Sequence, residues 1–365
     1  MKLNEIIKVL EQFAPLQLQE SYDNAGLITG NPEMEIKAAL LTLDSTEEVI
    51  DEAIANNCNL IIAHHPIVFS GLKKINGKNY VERVIIKAIK NDIAIYAAHT
   101  NFDNVRAGVN KIIADKLGLI NTKILSPKKN LLKKLFTFVP GEHAEAVRNA
   151  LFSAGAGHIG NYSECSFNAE GFGTFNAGEG TNPFVGNHGI RHREEEIKVE
   201  VILPLWKEKQ VVKALFDSHP YEEVAYDIVP LDNIYQDVGA GLIGELAVAM
   251  DEINFLKHIQ KTMQTTMIRH TNFLNKKITR VAVCGGAGSF LLNDAINSGA
   301  QAFITADYKY HQFFDADGKV LICDIGHYES EQFTPLIFAQ LLNEYLPTFA
   351  TLFSKTNSNP IKYFH

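Results

Sequence analysis

Two adjacent histidines, His64-His65, close the apolar run Asn59-Leu60-Ile61-Ile62-Ala63 and are followed by Pro66. The run is short and aliphatic and stops where the histidines begin, so it reads as a buried strand. Successive strand residues point to opposite faces, so both imidazoles cannot be core filling. The carboxyl ends of strands in α/β sheets are where ligands gather. A lone His is more often a satisfied core residue. A His-His pair at a strand end points instead to metal or catalysis, neutral imidazole being the commonest metal ligand.

A second group is Gly326-His327-Tyr328-Glu329-Ser330-Glu331. His327 and Glu331 are four apart at the start of a helix and share a face. That spacing suits a His and a carboxylate gripping one metal or bridging two. The plain alternative is a capped helix start, with Ser330 or His327 as cap and Glu331 serving the dipole. The third group is His99 with Asp103 in His99-Thr100-Asn101-Phe102-Asp103, which alone would read as an ordinary loop. From these groups two His, one Asp, a further His and one Glu make five N/O ligands without a thiolate. Such a set is enough for two divalent ions sharing a carboxylate about 3.5–4 Å apart, an arrangement that activates water for hydrolysis. Nitrogen and oxygen donors suit Zn, Mn, Fe or Co better than copper(I) or an iron–sulfur cluster. Asp44, and Asp307 with His311, are candidates to support the ligands, since ligating imidazoles usually donate their other N–H to a carboxylate or carbonyl. For Asp307 a helix N-cap just after a strand is equally open.

These residues need elements to position them. Residues 4–13 have helical periodicity, and Ser21–Leu27 reads as a loop. Ala38–Leu43 reads as a strand ending at Asp44, and Ser45 or Thr46 caps a helix through Asn57. After the strand ending at His64-His65, a helix over Tyr80–Asn91 leads to the strand Ile93–Ala98. This is the rhythm of a mainly parallel α/β sheet, with Asp44, the His pair and His99/Asp103 at its carboxyl edge. A polar linker, Ser126–Asn130, changes the pattern. Beyond it come strand 135–139, helix 142–154, a long β segment 160–175 and a Gly/Asn-rich loop 176–187. Strand 197–203, helix 207–218 and strand 224–229 complete a split ferredoxin-like βαβ-βαβ unit. The α/β rhythm returns with strands 280–284, 302–305 and 320–324 and a helix near 331–345. The fold class is thus α/β. A discontinuous outer domain, 1–128 and 232–365, has a mixed, mainly parallel sheet, and an α+β domain, 129–231, is inserted into it. Cys284-Gly285-Gly286-Ala287-Gly288-Ser289 lacks the form of a nucleotide loop and reads as a tight strand-to-helix turn rather than a phosphate cradle. His219-Pro220-Tyr221-Glu222-Glu223 reads as a structural turn.

Composition bounds the answer. The 365 residues, 46% apolar and 21% charged, are globular and too many for one ordinary core. A formal charge of -8 gives no overall footprint for nucleic acid, although a local basic surface stays open. No run of 18 apolar residues exists, so no membrane span is expected. Cys58, Cys165, Cys284 and Cys323 show no CxxC spacing, which fits reduced thiols in a cytoplasmic protein.

The ordered set Asp23-Asn24-Ala25-Gly26-Leu27, His64-His65-Pro66, His99-Thr100-Asn101-Phe102-Asp103, Gly285-Gly286-Ala287-Gly288 and Gly326-His327-Tyr328-Glu329-Ser330-Glu331 resembles the GTP cyclohydrolase 1 type 2 homologue family. These are the dinuclear-metal hexamers also called Nif-three-like, and the motifs span almost the whole chain. The resemblance implies that His64, His65, Asp103, His327 and Glu331 are the ligands of two divalent ions. It also implies a homohexameric toroid with its sites facing an inner cavity. The insert, with Gly160-Asn161-Tyr162-Ser163 and His219-Pro220-Tyr221-Glu222-Glu223, looks like the PII/CutA-like domain of the longer members. Two departures stand out: Tyr22 where a tryptophan is frequent, and Ala306 where a glycine usually precedes Asp307. Two functions follow as expectations. One is a metal-dependent hydrolase of unassigned small-molecule substrate, with His99, Asp307 or His311 assisting proton transfer. The other is a non-enzymatic metal-binding or regulatory hexamer whose insert senses a ligand or partner.

Overall fold

The apolar runs Leu60–Ala63 and Ala94–Ala97 form strands in which every residue is buried, which is how interior strands of a parallel sheet read. The computed structural model describes residues 1–364. In chain order its strands are β1 (Gly26–Thr29), β2 (Ala38–Thr42), β3 (Leu60–Ala63), β4 (Ala94–Ala97) and β5 (Leu119–Lys128). Then follow β6 (Leu132–Pro140), β7 (Ser166–Asn176), β8 (Arg191–Pro204), β9 (Tyr226–Leu231) and β10 (Tyr235–Met250). The last are β11 (Arg269–His270), β12 (Ile278–Ala287), β13 (Ala302–Ala306), β14 (Leu321–Asp324) and β15 (Ala350–Phe353). The chain divides into two units, one of Met1–Pro127 with the stretch from Asp237 onward, the other of Lys128–Gln236.

The first unit holds two sheets rather than the one expected from the rhythm alone. One has the order β1-β4-β3-β2-β15 and the other β11-β14-β13-β12-β10-β5. Strands β15, β2, β3 and β4 run parallel, with β1 antiparallel at the edge. In the second sheet β12, β13 and β14 run parallel, flanked by antiparallel β10 and β11. The chain is therefore mixed α/β with parallel and antiparallel pairing. Leu40, Ile61, Ile95, Val49, Ile50 and Val84 bury the helices Glu47–Ala55 and Tyr80–Lys90 against the first sheet. Each such side chain contributes about 1.5–3 kcal/mol by leaving water. Thr46, not Ser45, caps the first of these helices by accepting from Val49 N, and Glu47 and Glu48 lie in its first turn. Phe303, Ile322, Ala282, Leu292 and Tyr308 form the corresponding core of the second sheet.

Several expected boundaries move. Gly26-Leu27, read as loop, begins β1. Ser126–Lys128, read as linker, completes β5. The long β10, absent from the sequence reading, is masked by glycines. At Gly239 a Cβ would stand 2.2 Å from the Ser126 carbonyl oxygen, so the β5–β10 approach requires glycine. The helix expected near 331–345 is two, His327–Glu331 and Pro335–Tyr345. Pro335 accounts for the break, because proline suits a helix's first turn but not its interior.

The second unit has a fully antiparallel sheet of order β7-β8-β6-β9, with the helices Ala144–Ser153 and Glu208–Ser218 inserted after β6 and β8. That order is the ferredoxin-like one. Val199 and Val201 are buried with Leu135, Val147, Leu151 and Leu215, whereas Lys198 and Glu200 lie on the opposite, wetter face. The β segment expected from Gly160 starts at Ser166, and β8 is longer than expected.

Candidate metal centre

All the proposed donors come from turns or short helices just beyond strand carboxyl ends in the first unit. His64 and His65 follow β3, Asp44 follows β2, and His99 follows β4 and leads into the single helical turn Thr100–Asp103. Asp307 follows β13, and His327 opens the helix His327–Glu331 shortly after β14.

Hydrogen bonds set the imidazole tautomers. His64 is fully buried, and its Nδ1–H donates to the Ala98 carbonyl oxygen at 2.7 Å. His65 Nδ1–H donates to Asp44 Oδ1 at 2.7 Å, and His327 Nδ1–H to Asp307 Oδ2 at 2.7 Å. His99 Nδ1–H donates to Asp23 Oδ1 at 2.7 Å. On His64, His65 and His327 the Nε2 lone pair is left for the centre, the arrangement expected of ligating imidazoles.

Those lone pairs converge. His65 Nε2 and His327 Nε2 lie 2.9 and 3.0 Å from Glu331 Oε2, and 3.3 Å from each other. His64 Nε2 lies 3.7 Å from both Asp103 Oδ1 and Glu331 Oε1. Neither His64 Nε2 nor Asp103 Oδ1, both buried, has a hydrogen-bond partner. An orphaned buried donor atom is costly unless something fills the gap. Two donors each about 2.1 Å from a tetrahedral cation stand about 3.4 Å apart, close to the gap seen. Donor atoms of His64, Asp103 and Glu331 lie within 4.8 Å of one another, as do those of His65, His327 and Glu331. The residues fit divalent cations, with Glu331 common to both groups. A ring nitrogen of His99 also lies within 4.8 Å of His64 and His65 donors.

Electrostatics agrees with the donor geometry. Burial works against a charge on His65, yet Asp44 and Glu331 outweigh it and push the imidazole up to about 9. Burial likewise opposes His327, and Glu331 and Asp307 lift it to about 11. Burial and the Glu331 charge raise the Asp103 carboxyl, while Glu331, against its burial, is held well below its ordinary value by His327. The carboxylates around His65 and His327 thus hold protons where cations would serve as well.

Backbone fit completes the site. Gly286 has φ +60°, and a Cβ there would meet Glu331 Oε1 at 2.5 Å. Its N–H donates to Ser330 Oγ at 2.9 Å, and Ser330 Oγ donates to the His327 carbonyl at 2.7 Å. The glycine run is therefore a backing for the helix His327–Glu331. Asp307 has φ +58°, a left-handed conformation that Asp tolerates better than most residues, and its side chain holds His327 instead of capping a helix. Gly326 precedes the helix as its N-cap, and neither Ser330 nor His327 caps it. His311 is not brought to the cluster: it is exposed and packs with Tyr310 and Phe314. A cavity of about 870 Å³ opens over the donors, with Tyr22, Phe69 and Phe290 on its rim. Asp23 was visible in its motif, but its role was not. It takes His99 Nδ1–H, Thr100 N at 3.1 Å and the Thr100 hydroxyl, and these bonds outweigh burial to bring it down to about 2.

A mixed α/β unit with His and carboxylate donors at facing strand ends defines a candidate metal-binding protein. The Duf34/NIF3 (NGG1p interacting factor 3) family model matches residues 1–360, and the chain belongs to that family. It is 44% identical over 325 residues to the GTP cyclohydrolase 1 type 2 homolog of Halalkalibacterium halodurans, covering 88% of this chain and 87% of the relative. The Bacillus subtilis protein of the same name is 41% identical over 326 residues, covering 89% and 87%. Among solved structures, a Bacillus cereus protein related to NIF3 superposes with a TM-score of 0.89 at 40% identity, covering 100% of this chain and 99% of that one. No helix among the described residues is long and apolar enough to cross a membrane.

Proposed function

We propose that the protein is a metal-dependent hydrolase in which His64, His65, Asp103, His327 and Glu331 hold two divalent ions, Zn, Mn, Fe or Co. The observation that carries this reading is the orphaned pair, His64 Nε2 and Asp103 Oδ1, at 3.7 Å beside Glu331. When bound, such ions lower the pKa of water and polarise the substrate. His99, oriented by Asp23, is the group placed to take or give a proton at the cavity floor. Asp44 and Asp307 orient His65 and His327. The relatives' name points to cyclohydrolase chemistry. No lysine or arginine is among the described residues that line the cavity. Phosphate charge on a substrate would therefore be met by the bound ions rather than by a side-chain clamp.

The reading extends to a cytoplasmic homohexamer with a PII/CutA-like insert over residues 129–231, which is supported by the family resemblance and by the β7-β8-β6-β9 order. One observation favours a regulatory role for the insert. It carries a cavity of about 650 Å³ walled by Phe138, Phe172, Phe175, Phe184 and Tyr221, suited to sensing a small ligand.

Metal analysis of wild type and His64→Ala, with a panel of phosphoesters, nucleotides and cyclic amides, tests the function. Two ions per chain and a hydrolysed substrate in wild type, both lost in the variant, are expected. Metal lost with no activity anywhere on the panel would sink the enzyme reading and leave the metal-binding one.

A further inference from the structure

The segment that follows β15 holds Asp44, the carboxylate partner of His65, and Glu329, on the helix that carries His327 and Glu331, from outside. Ser354–Asn359 reads Ser-Lys-Thr-Asn-Ser-Asn and carries no apolar side chain. It begins where Ser354 N donates to the Leu41 carbonyl at 2.9 Å, beside the carboxyl end of β2. The Glu52 carboxylate then accepts four hydrogen bonds from it: Ser354 Oγ at 2.6 Å, Lys355 N at 2.7 Å, Thr356 N at 3.1 Å and Thr356 Oγ1 at 2.7 Å. Next, Ser358 Oγ donates to Asp44 Oδ2 at 2.5 Å. Asn359 Nδ2 donates to Glu329 Oε1 at 3.3 Å. Glu329 sits on the helix that carries His327 and Glu331.

We propose that Ser354–Asn359 is a polar strap across the metal centre and that Ser358 is a positioning residue for His65, acting through Asp44. Asp44 uses one oxygen for His65 Nδ1–H and the other for Ser358, so the serine fixes the rotation of the carboxylate that orients the imidazole. The strap reaches both halves of the site, Asp44 beside β2 and Glu329 beyond β14. Ser358 and Pro360 also form part of the cavity wall over the donors. Its polar side chains anchor it by hydrogen bonds, beside a cavity of about 170 Å³ lined by Leu43, Tyr328 and Phe333 among others. Such a segment detaches at far lower cost than a packed element.

This inference rests on the reading that the cluster binds divalent ions. Its test uses Co²⁺ as probe, titrated calorimetrically and by visible absorption into full-length wild type, Ser358→Ala, Ser358→Thr and Asn359→Ala. Outer partners of ligating groups typically matter 10–100-fold in metal affinity. For Ser358, one bond further out, Ser358→Ala is expected to bind about 3–10-fold more weakly, with a changed cobalt spectrum. Ser358→Thr, which keeps the hydroxyl, should restore both. Asn359→Ala should keep the spectrum but release Co²⁺ faster to a chelator. Thermal unfolding of the metal-free forms separates a folding defect, and the threonine variant keeps the test valid if the alanine variant is unstable. Identical affinity and spectrum in wild type and Ser358→Ala would overturn the proposal. Wild type failing to bind Co²⁺ at all would overturn the metal reading beneath it.

Discussion

His65 and His327 stand 262 positions apart in the chain, yet their Nε2 atoms lie 3.3 Å from each other. Each ring has given its Nδ1–H to a carboxylate, so two lone pairs face one another across a gap only a positive charge can fill. In the metal-free protein that charge is a proton, the imidazoles being raised to about 9 and about 11.

Metal uptake should therefore expel protons. At pH 7 both imidazoles lie below their raised values, so an arriving cation competes with bound protons and its apparent affinity climbs with pH. Calorimetric titration of Zn²⁺ in two buffers of different ionisation enthalpy should show release of at least one proton per chain. Equal heats in the two buffers would contradict the geometry.

Asp307→Asn keeps the shape of the His327 partner but removes its charge. The variant should fold with an unchanged circular dichroism spectrum and bind metal about 10–100-fold more weakly. Equilibrium dialysis against a metal buffer measures this directly, and unaltered affinity would remove Asp307 from the site.

Gly286→Ala introduces a methyl group 2.5 Å from Glu331 Oε1 at a residue with φ +60°. The strain alone is expected to cost roughly 1–3 kcal/mol. Because the displaced atom is a proposed ligand, metal content should fall along with the melting temperature. A variant that melts lower but stays fully loaded would show that the helix can shift without releasing its ligand.

Glu52 gives the strap a pH signature. Burial opposes its charge, but bonds from Lys355, Ser354 and Thr356 outweigh it, and the carboxyl sits below its ordinary value of 4.5. A group lowered in the folded state stabilises above its unfolded value, and the contribution disappears as pH falls through the lowered one. The melting temperatures of wild type and Glu52→Gln should differ at pH 7 and converge as the pH falls below 4.5 and through the lowered value. A constant difference across that range would argue against the carboxylate as anchor.

What could be read in advance follows from how local each signal is. His64-His65 after an aliphatic run, and His327 four residues before Glu331, are short-range patterns, and the structure brings these residues together with Asp103. Asp44 emerged because it ends a strand next to the pair's own. Asp23, Glu52 and Ser358 did not, because their partners lie tens to hundreds of residues away and no periodicity links them. His311 looked suitable by residue type and nearness to Asp307, but the seven-residue 3₁₀ turn Tyr310–Ala316 leaves it exposed among aromatic rings. The second sheet was half hidden because β10 carries glycines and charges, and β5 lysines and a proline, that break alternation.

The order of the donors along the chain has a consequence for biosynthesis. His64, His65 and Asp103 leave the ribosome first, then the whole of Lys128–Gln236, and only afterwards His327 and Glu331. Glu331, the carboxylate common to both donor groups, is the last of the five to be made. A nascent chain can therefore fold β2, β3 and β4 and expose two imidazoles and a carboxylate without a complete cage. If the five residues bind metal as proposed, tight loading has to wait until the second segment docks, and metal content would then report on finished chains.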